Sequence, residues 1–360
     1  EPYNQERART DPRGFLNGLT MPVILDEIQY VPELLSYIKS AIDDNRQPGQ
    51  WLITGSQNFT LMQGVSESLA GRSAVFSLLP LSVAEIVGKG DTSLPPEVWL
   101  DKFLQYVQIN VLAPGLTSLL LRGSYPEPAT QSAVNRDMWC GSYITTYLER
   151  DVRNLKQVGD LGQFQIFLRV CAVRTGQILD ITSLAQETGI SHTTAKRWLS
   201  LLEASHQIYL LYPYYKNIGK RLVKRPKLYF GDTGLASYLM GLHTPEVLLA
   251  SPYFGSLFET LIVTDILKRF YNHGQSPALY YLRTRDKAEV DLLIEVAGQL
   301  HLAEIKSAQT IFTKHAATLL RIKNQLGDQV KSSAVITDTA HSSPLSHGVI
   351  NRSWRDTLVL

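Results

Sequence analysis

At 360 residues, with 44% hydrophobic and 19% charged positions, the chain has the balance of a soluble globular protein of two or three domains rather than a disordered one. Its net charge of +2 excludes bulk attraction to nucleic acid, so any such contact must come from local patches. Two cysteines, Cys140 and Cys171, exclude a disulfide framework and fit a reducing cytosol; no apolar run is long enough to span a bilayer, and the charged N-terminus is no secretory signal.

Residues 1–13 read as a charged approach segment. Residues 22–28 (PVILDEI) form a short apolar run, as expected of a strand buried on both faces of a parallel sheet. Pro32 then opens a helix carrying Leu34, Leu35, Ile38, Ala41 and Ile42 on one face. Further strands are predicted at 51–54 and 74–79, with a helical stretch around 61–70 between them. Strand, helix, strand, helix, strand is the signature of a doubly wound α/β sheet. Residues 81–130 read as mainly helical, punctuated by Pro95-Pro96, Pro114-Gly115 and Tyr125-Pro126. An amphipathic helix follows, with Ile144, Tyr147, Leu148, Val152 and Leu155 on one face and Glu149 spaced to pair with Arg153. Three short helices and a β-like run over 164–211 suggest a winged helix-turn-helix. The last third reads α-β-β-β-α-β: a helix at 255–270, strands at 280–283, 289–295 and 300–306, a helix near 312–326 and a strand at 334–337.

Three features carry chemistry. First, Val23-Ile24-Leu25-Asp26-Glu27 has the Walker B pattern: a carboxylate at a buried strand's end can hold Mg²⁺, and the next Glu can polarise water. Thr54, Gly55, Ser56 and Gln57 end the neighbouring strand beside the same crevice, where Ser56 suits a γ-phosphate sensor. Arg72 is placed to act as an arginine finger on a neighbouring subunit of a homo-oligomer. The pattern also fits a plain strand terminus meeting solvent. The phosphate-cradling G-x-x-x-x-G-K-[ST] occurs nowhere in the chain, and there is no initiating Met. The reading is therefore of a domain truncated before its Walker B strand, with an exposed apolar sheet edge and no ATPase activity of its own.

Second, Ser191-His192-Thr193-Thr194-Ala195-Lys196-Arg197 opens the second helix of the helix-turn-helix, the one that enters a DNA major groove in DNA-binding versions. A basic stretch follows with Lys216, Lys220, Arg221, Lys224, Arg225 and Lys227, which together can present a phosphate-binding face. The alternatives are a winged helix that packs domains together and a solvated loop.

Third, Glu259 lies on a helical face with Ile262, Val263 and Ile266, where a carboxylate is costly unless something positive meets it. If Ala297-Gly298 is a two-residue turn, Asp291 lies opposite Glu304, both on one face of the hairpin. Like charges there destabilise a sheet unless a divalent cation sits between them. Lys306 shares that face, so Glu259, Asp291, Glu304 and Lys306 can converge as three oxygen ligands for Mg²⁺ plus one cation. In the same register Lys306 is opposite Glu289, the arrangement of a simple cross-strand ion pair.

These segments resemble a known family. MPVILDEIQYVPELLSYIK, WLITGSQN, SLAGR and LLPLSVAEI, within residues 21–86, are similar to the AAA-type ATP-binding proteins of bacteria and archaea. SYITTYLERDV, KRLVKRPKLYFGDTGLASYL, GSLFET, KAEVDLLIE and AEIKS, within residues 142–307, resemble that family's C-terminal domain of unknown function. The resemblance implies an incomplete AAA-type P-loop sheet (1–90), a helical lid or linker (91–140), a helical and winged-helix region (141–230) and a restriction-endonuclease-like, PD-(D/E)XK-type α/β module (231–360). It places Asp26 and Glu27 in the Walker B motif, with ATP as cofactor of the complete protein, and matches Glu259, Asp291, Glu304 and Lys306 to the nuclease signature. Two functions are expected to compete: an ATP-regulated, Mg²⁺-dependent DNA nuclease, or a non-catalytic switch that binds DNA or a protein.

Overall fold

A computed structural model describes residues 1–55, 68–103, 114–148, 161–215, 225–284, 286 and 288–359. The chain divides into two compact units, Glu1–Phe76 and Ser77–Leu360.

In the first unit, the segment read as a charged approach is helical instead: α1 (Pro2–Thr10) and α2 (Pro12–Asn17). Each opens on a proline, whose missing N–H is not needed in a first turn, and Asp11 caps α2 by accepting from the Gly14 amide at 2.9 Å. Strands β1 (Val23–Leu25) and β2 (Trp51–Ile53) pair in parallel with Val23 opposite Trp51. Helix α3 (Leu34–Asp44) packs Leu34, Leu35 and Ile38 with Ala8, Leu16, Ile28 and Val31. On one face of the strand pair Ile24 and Leu52 are 66% and 57% exposed. The third strand expected at 74–79 does not form: those residues join no ladder, and Val75, Phe76 and Leu78 are exposed. An apolar run becomes a strand only where a neighbour offers hydrogen-bond partners. The helix expected around 61–70 falls largely outside the described residues.

The second unit has a main core that includes residues from Val83 to Val359, and a smaller one in which Val290, Leu293, Leu302, Leu319 and Val335 pack together. The boundaries expected near 140 and 230 therefore separate segments that pack together. Short helices α4 (Val83–Ile86), α5 (Pro96–Phe103), α6 (Leu116–Arg122) and α7 (Pro126–Thr130) occupy the region read as helical, and α8 (Arg136–Tyr143) follows it. Of the amphipathic helix read next, Ile144, Tyr147 and Leu148 lie in a π-helical turn; Glu149, Val152, Arg153 and Leu155 lie outside the described residues.

There follow α9 (Leu161–Val173), β3 (Gln177–Ile178), α10 (Ile181–Glu187), α11 (His192–Ala204), β4 (Ile208–Leu211) and β5 (Lys227–Phe230). Their three strands make an antiparallel sheet in the order β3-β5-β4. Asp180 caps α10 through the Thr182 and Ser183 amides, and Ser191 caps α11 through Thr194. Ala195, Trp198, Leu199 and Leu202 of α11 are buried, whereas His192, Thr193, Lys196 and Arg197 face solvent. The aromatic rings of Phe164 and Phe167 meet Trp198 edge-on at 5.2 Å.

After α12 (Thr233–Leu239) and α13 (Pro245–Ala250) comes α14 (Phe254–Asn272), which other elements cover so fully that Thr260, Thr264, Asp265, Lys268 and Arg269 are buried along with its apolar residues. Strands β6 (Leu279–Arg283), β7 (Glu289–Val296), β8 (Gln299–Lys306), β9 (Val330–Thr337), β10 (Ser343–Ser346) and β11 (Val349–Ser353) form a mixed sheet in the order β10-β11-β9-β8-β7-β6. β8 and β9 are parallel and joined across α15 (Ala317–Leu326), as a parallel pair requires. The α-β-β-β-α-β order read from the sequence is present, followed by β10, β11 and α16 (Trp354–Leu358), which were not foreseen. Among the described residues no helix is long and apolar enough to cross a membrane.

Candidate active site

The turn between β7 and β8 is the two-residue one read from the sequence, with Val296 opposite Gln299 and both Ala297 and Gly298 at positive φ (49° and 74°). Continuing that register places Asp291 beside the end of β8, where its Oδ2 accepts from the Ile305 amide at 2.9 Å. Asp291 and Glu304 are buried on the same face, and α14 packs against β8 and brings Glu259 to them.

The cation that meets these acids was not the one expected. Lys227, read as part of a basic stretch able to present a phosphate-binding face, is only 3% exposed and cannot serve there. It begins β5, and the LYF sequence after it makes a strand in which Lys227 and Tyr229 share a face. The Lys227 Nζ lies 2.6 Å from Glu289 Oε1, 3.1 Å from Glu259 Oε1 and 3.4 Å from Asp291 Oδ1. The Tyr229 hydroxyl donates to the same Glu259 oxygen at 2.5 Å. Lys306 is half-exposed and pairs with Glu304 Oε1 at 2.7 Å and Asp291 Oδ2 at 3.6 Å. The ion pairs of Glu289 are thus with Lys227 and, at 3.9 Å, Arg283, rather than with the Lys306 that register alone suggested.

Electrostatics follow from this crowding. Burial, then the nearby Asp291, pushes the Glu304 carboxyl up to about 7, and the same two causes raise Glu259. Burial opposes the charge on Lys227, but Glu259, Asp291 and Glu289 together outweigh it and hold its pKa above the ordinary lysine value. Even counting Arg283, the cluster has one more acid than base. Glu304 Oε2 is buried with no hydrogen-bond partner. Among the described residues no group of three or more His, Cys, Asp or Glu side chains is spaced to hold a metal ion. The acids gather around two lysines instead, and the orphaned oxygen and surplus carboxyl are what a bound proton or a hard divalent cation would satisfy.

In the first unit, Asp26 follows β1 and accepts from the Thr54 hydroxyl, so both lie at the carboxyl ends of parallel strands. Glu27 has φ 57° and accepts from Gln29 Nε2. Arg72 is gripped by Asp43, Nε to Oδ1 at 2.6 Å and Nη2 to Oδ2 at 3.0 Å. Ser56 lies outside the described residues, as do Lys216, Lys220, Arg221 and Lys224. Arg225, described, reaches Asp180 at 2.6 Å and so restrains the cap of α10.

Family models match along the chain: an AAA domain over residues 1–87, a domain of unknown function (DUF8612) over 114–246 and a domain of unknown function (DUF4143) over 254–354. Two mycobacterial proteins, uncharacterized protein Rv2008c of Mycobacterium tuberculosis and uncharacterized protein Mb2031c of Mycobacterium bovis, are each 30% identical to it over 343 residues, 94% of this chain and 70% of theirs. The chain belongs to their AAA-domain family. In this family member the AAA domain is an ATPase-like module that ends near the start of the second unit, and the Lys227–Glu259–Asp291–Glu304 cluster joins residues from both domains of unknown function. No solved structure matches the chain.

Proposed function

We propose that the complete protein couples an AAA-type ATPase to a divalent-metal-dependent DNA nuclease, its C-terminal part being a winged helix followed by a PD-(D/E)XK-type core. The observation that carries this reading is the meeting of Glu259, Asp291, Glu304 and Lys306, delivered by one helix and two strands, with Glu304 Oε2 left without a partner. Glu259, Asp291 and Glu304 would hold Mg²⁺, and a bound divalent ion supplies Lewis-acid stabilisation of charge developing on a phosphodiester. The Ile305 amide orients Asp291, and Lys306, the more exposed of the two lysines, is the one able to reach a phosphate oxygen. In support of a DNA substrate, we read the β3-β5-β4 sheet and its three helices as a winged helix, whose α11 turns His192, Thr193, Lys196 and Arg197 outward. In the complete protein Asp26 and Glu27 would serve the nucleotide with Ser56 as sensor, and Arg72 would act on a neighbouring subunit only once its pair with Asp43 opens. The chain contains no G-x-x-x-x-G-K-[ST], so no step through ATP is assigned to these residues.

The occupation of the carboxylate cluster by Lys227 favours a second reading, a non-catalytic switch that binds DNA or protein. Incubating the full chain with supercoiled plasmid in millimolar Mg²⁺ or Mn²⁺ separates the two. Cleavage that needs metal and disappears in both Asp291→Asn and Lys306→Ala, each still folded, is the expected result; losses of roughly a hundredfold or more are typical of such groups. No cleavage of supercoiled, branched or single-stranded DNA by folded protein would leave the switch.

A further inference from the structure

We propose that Lys227 is a tethered counter-cation: its ammonium holds the space between Glu259 and Asp291 that a divalent ion would take, so metal enters only when this lysine withdraws. The inference rests on the metal-dependent reading above and adds a control to it. Lys227 comes from a different sheet from the acids it neutralises. Its strand, β5, is bonded to β3 and β4 (Lys227 opposite Ile178 and Leu211), whereas Asp291 and Glu289 belong to the six-stranded sheet.

Among the described residues, backbone hydrogen bonds clasp the two sheets at Tyr281. The Tyr281 amide donates to the Tyr212 carbonyl at 3.1 Å, and the Tyr214 amide donates back to Tyr281 at 2.7 Å. The Tyr281 hydroxyl donates to the Arg225 carbonyl at 2.7 Å, two residues before the lysine. The ammonium itself lies 5.8 Å from the centre of the Tyr281 ring. Movement of the three-stranded sheet against β6 would therefore draw the lysine out of the cluster. The exposed polar face of α11 belongs to the same helix-and-sheet module, so a ligand bound there is positioned to bias that movement.

Charge logic gives the lysine's absence a definite effect. With Lys227 present, its three acids are screened; without it, Glu259, Asp291 and Glu289 face one another in a buried site and must take up a cation or protons. A permanent ion pair made only for stability predicts the opposite behaviour, since its removal would damage the site rather than open it.

The test is Mn²⁺ binding by the full chain, followed by the electron paramagnetic resonance signal of free Mn²⁺. Lys227→Gln is expected to bind roughly tenfold or more tighter than wild type, whereas Arg283→Gln, which removes a charge at the edge of the cluster, changes affinity by less than about threefold. A measurement on wild-type protein makes the result independent of how well the variant folds: mass-spectrometric footprinting with an amine-acylating reagent. Lys227 is expected to be protected without metal and modified at saturating Mn²⁺. Equal Mn²⁺ affinity in wild type and Lys227→Gln, an equal gain in Arg283→Gln, or a Lys227 that stays protected in the metal-loaded protein would overturn the inference while leaving the metal site standing. Absence of Mn²⁺ binding in both folded proteins would overturn the metal reading, and this inference with it.

Discussion

Gly123 shows how much the second unit rests on single atoms. It follows α6 with φ 71° and ψ −153°, backbone that an L side chain rarely adopts. A Cβ there would sit 2.4 Å from Asp232 Oδ1. That carboxylate accepts from the Ser124 amide at 2.6 Å, the Ser124 hydroxyl at 2.8 Å and the Leu235 amide at 2.7 Å, so it has no free direction in which to yield. Gly123→Ala is expected to destabilise the protein by roughly 3–5 kcal/mol, the sum of backbone strain and a displaced buried acceptor. Chemical denaturation would show it as a lowered midpoint at unchanged slope; a loss under about 1 kcal/mol would mean that Asp232 can move. Lys227 teaches a different lesson at the same scale. Its linear neighbours Lys224 and Arg225 made it look like part of a phosphate-binding face, and local pattern gave no sign that it points inward, since Lys227, Leu228, Tyr229 and Phe230 are buried on both faces of their strand. Which acids it meets depends on the packing of two sheets, and that is not written in local pattern.

Among the elements, the β7–β8 hairpin was the most legible, because its alternation has period two and its turn can hold only two residues. That register alone brought Asp291 and Glu304 to one face. The turn is nonetheless imperfect: both central residues need positive φ, and the first is Ala297, exposed at φ 49°. Ala297→Gly, or Ala297→Asn, is expected to stabilise the chain by about 0.5–1 kcal/mol without altering the site. Thermal unfolding checks it, and a destabilised variant would indicate that the unfolded state's gain in freedom outweighs the relief of strain. The stretch at 74–79 failed for a related reason. Its apolar residues satisfy the strand pattern, yet strand formation depends on a partner, and pattern cannot report whether one is present. The helices of residues 1–17 were missed because their faces are weakly apolar, while the signals that were present, Pro2, Asp11 and Pro12, are start signals only.

Across the whole molecule, the second unit is joined by a buried polar network that ties the chain near residue 83 to α14. Asp265 Oδ2 accepts from the Val83 amide at 2.6 Å, and Lys268 Nζ donates to the Leu81 carbonyl at 3.0 Å and the Ser124 hydroxyl at 2.8 Å. Burial pushes the Asp265 carboxyl up to about 6; the positive Lys268 and Arg269 and the Val83 amide oppose the shift, and Glu85 adds to it. Because the folded pKa lies above the ordinary carboxylate value, the folded state holds this proton more tightly than the unfolded chain does. Its contribution is therefore complete below the unfolded pKa of about 4 and is lost as pH rises through about 6, a change on the order of 2–3 kcal/mol. Asp265→Asn keeps an acceptor for the Val83 amide but cannot ionise. The stability of wild type relative to this variant, from urea midpoints at about pH 4.5 and about pH 7.5, should fall by that amount between the two. His301 provides the opposite slope within the same protein. Burial lowers it to about 4, so its contribution is present above the unfolded histidine pKa and is lost as pH falls from there through about 4. Comparison with Asp265→Asn removes the His301 contribution, which both proteins share, and leaves the carboxyl alone. A difference that stays flat or grows with pH would mean that Lys268 compensates the ionised Asp265 fully, and that the network is a salt bridge rather than a protonated latch.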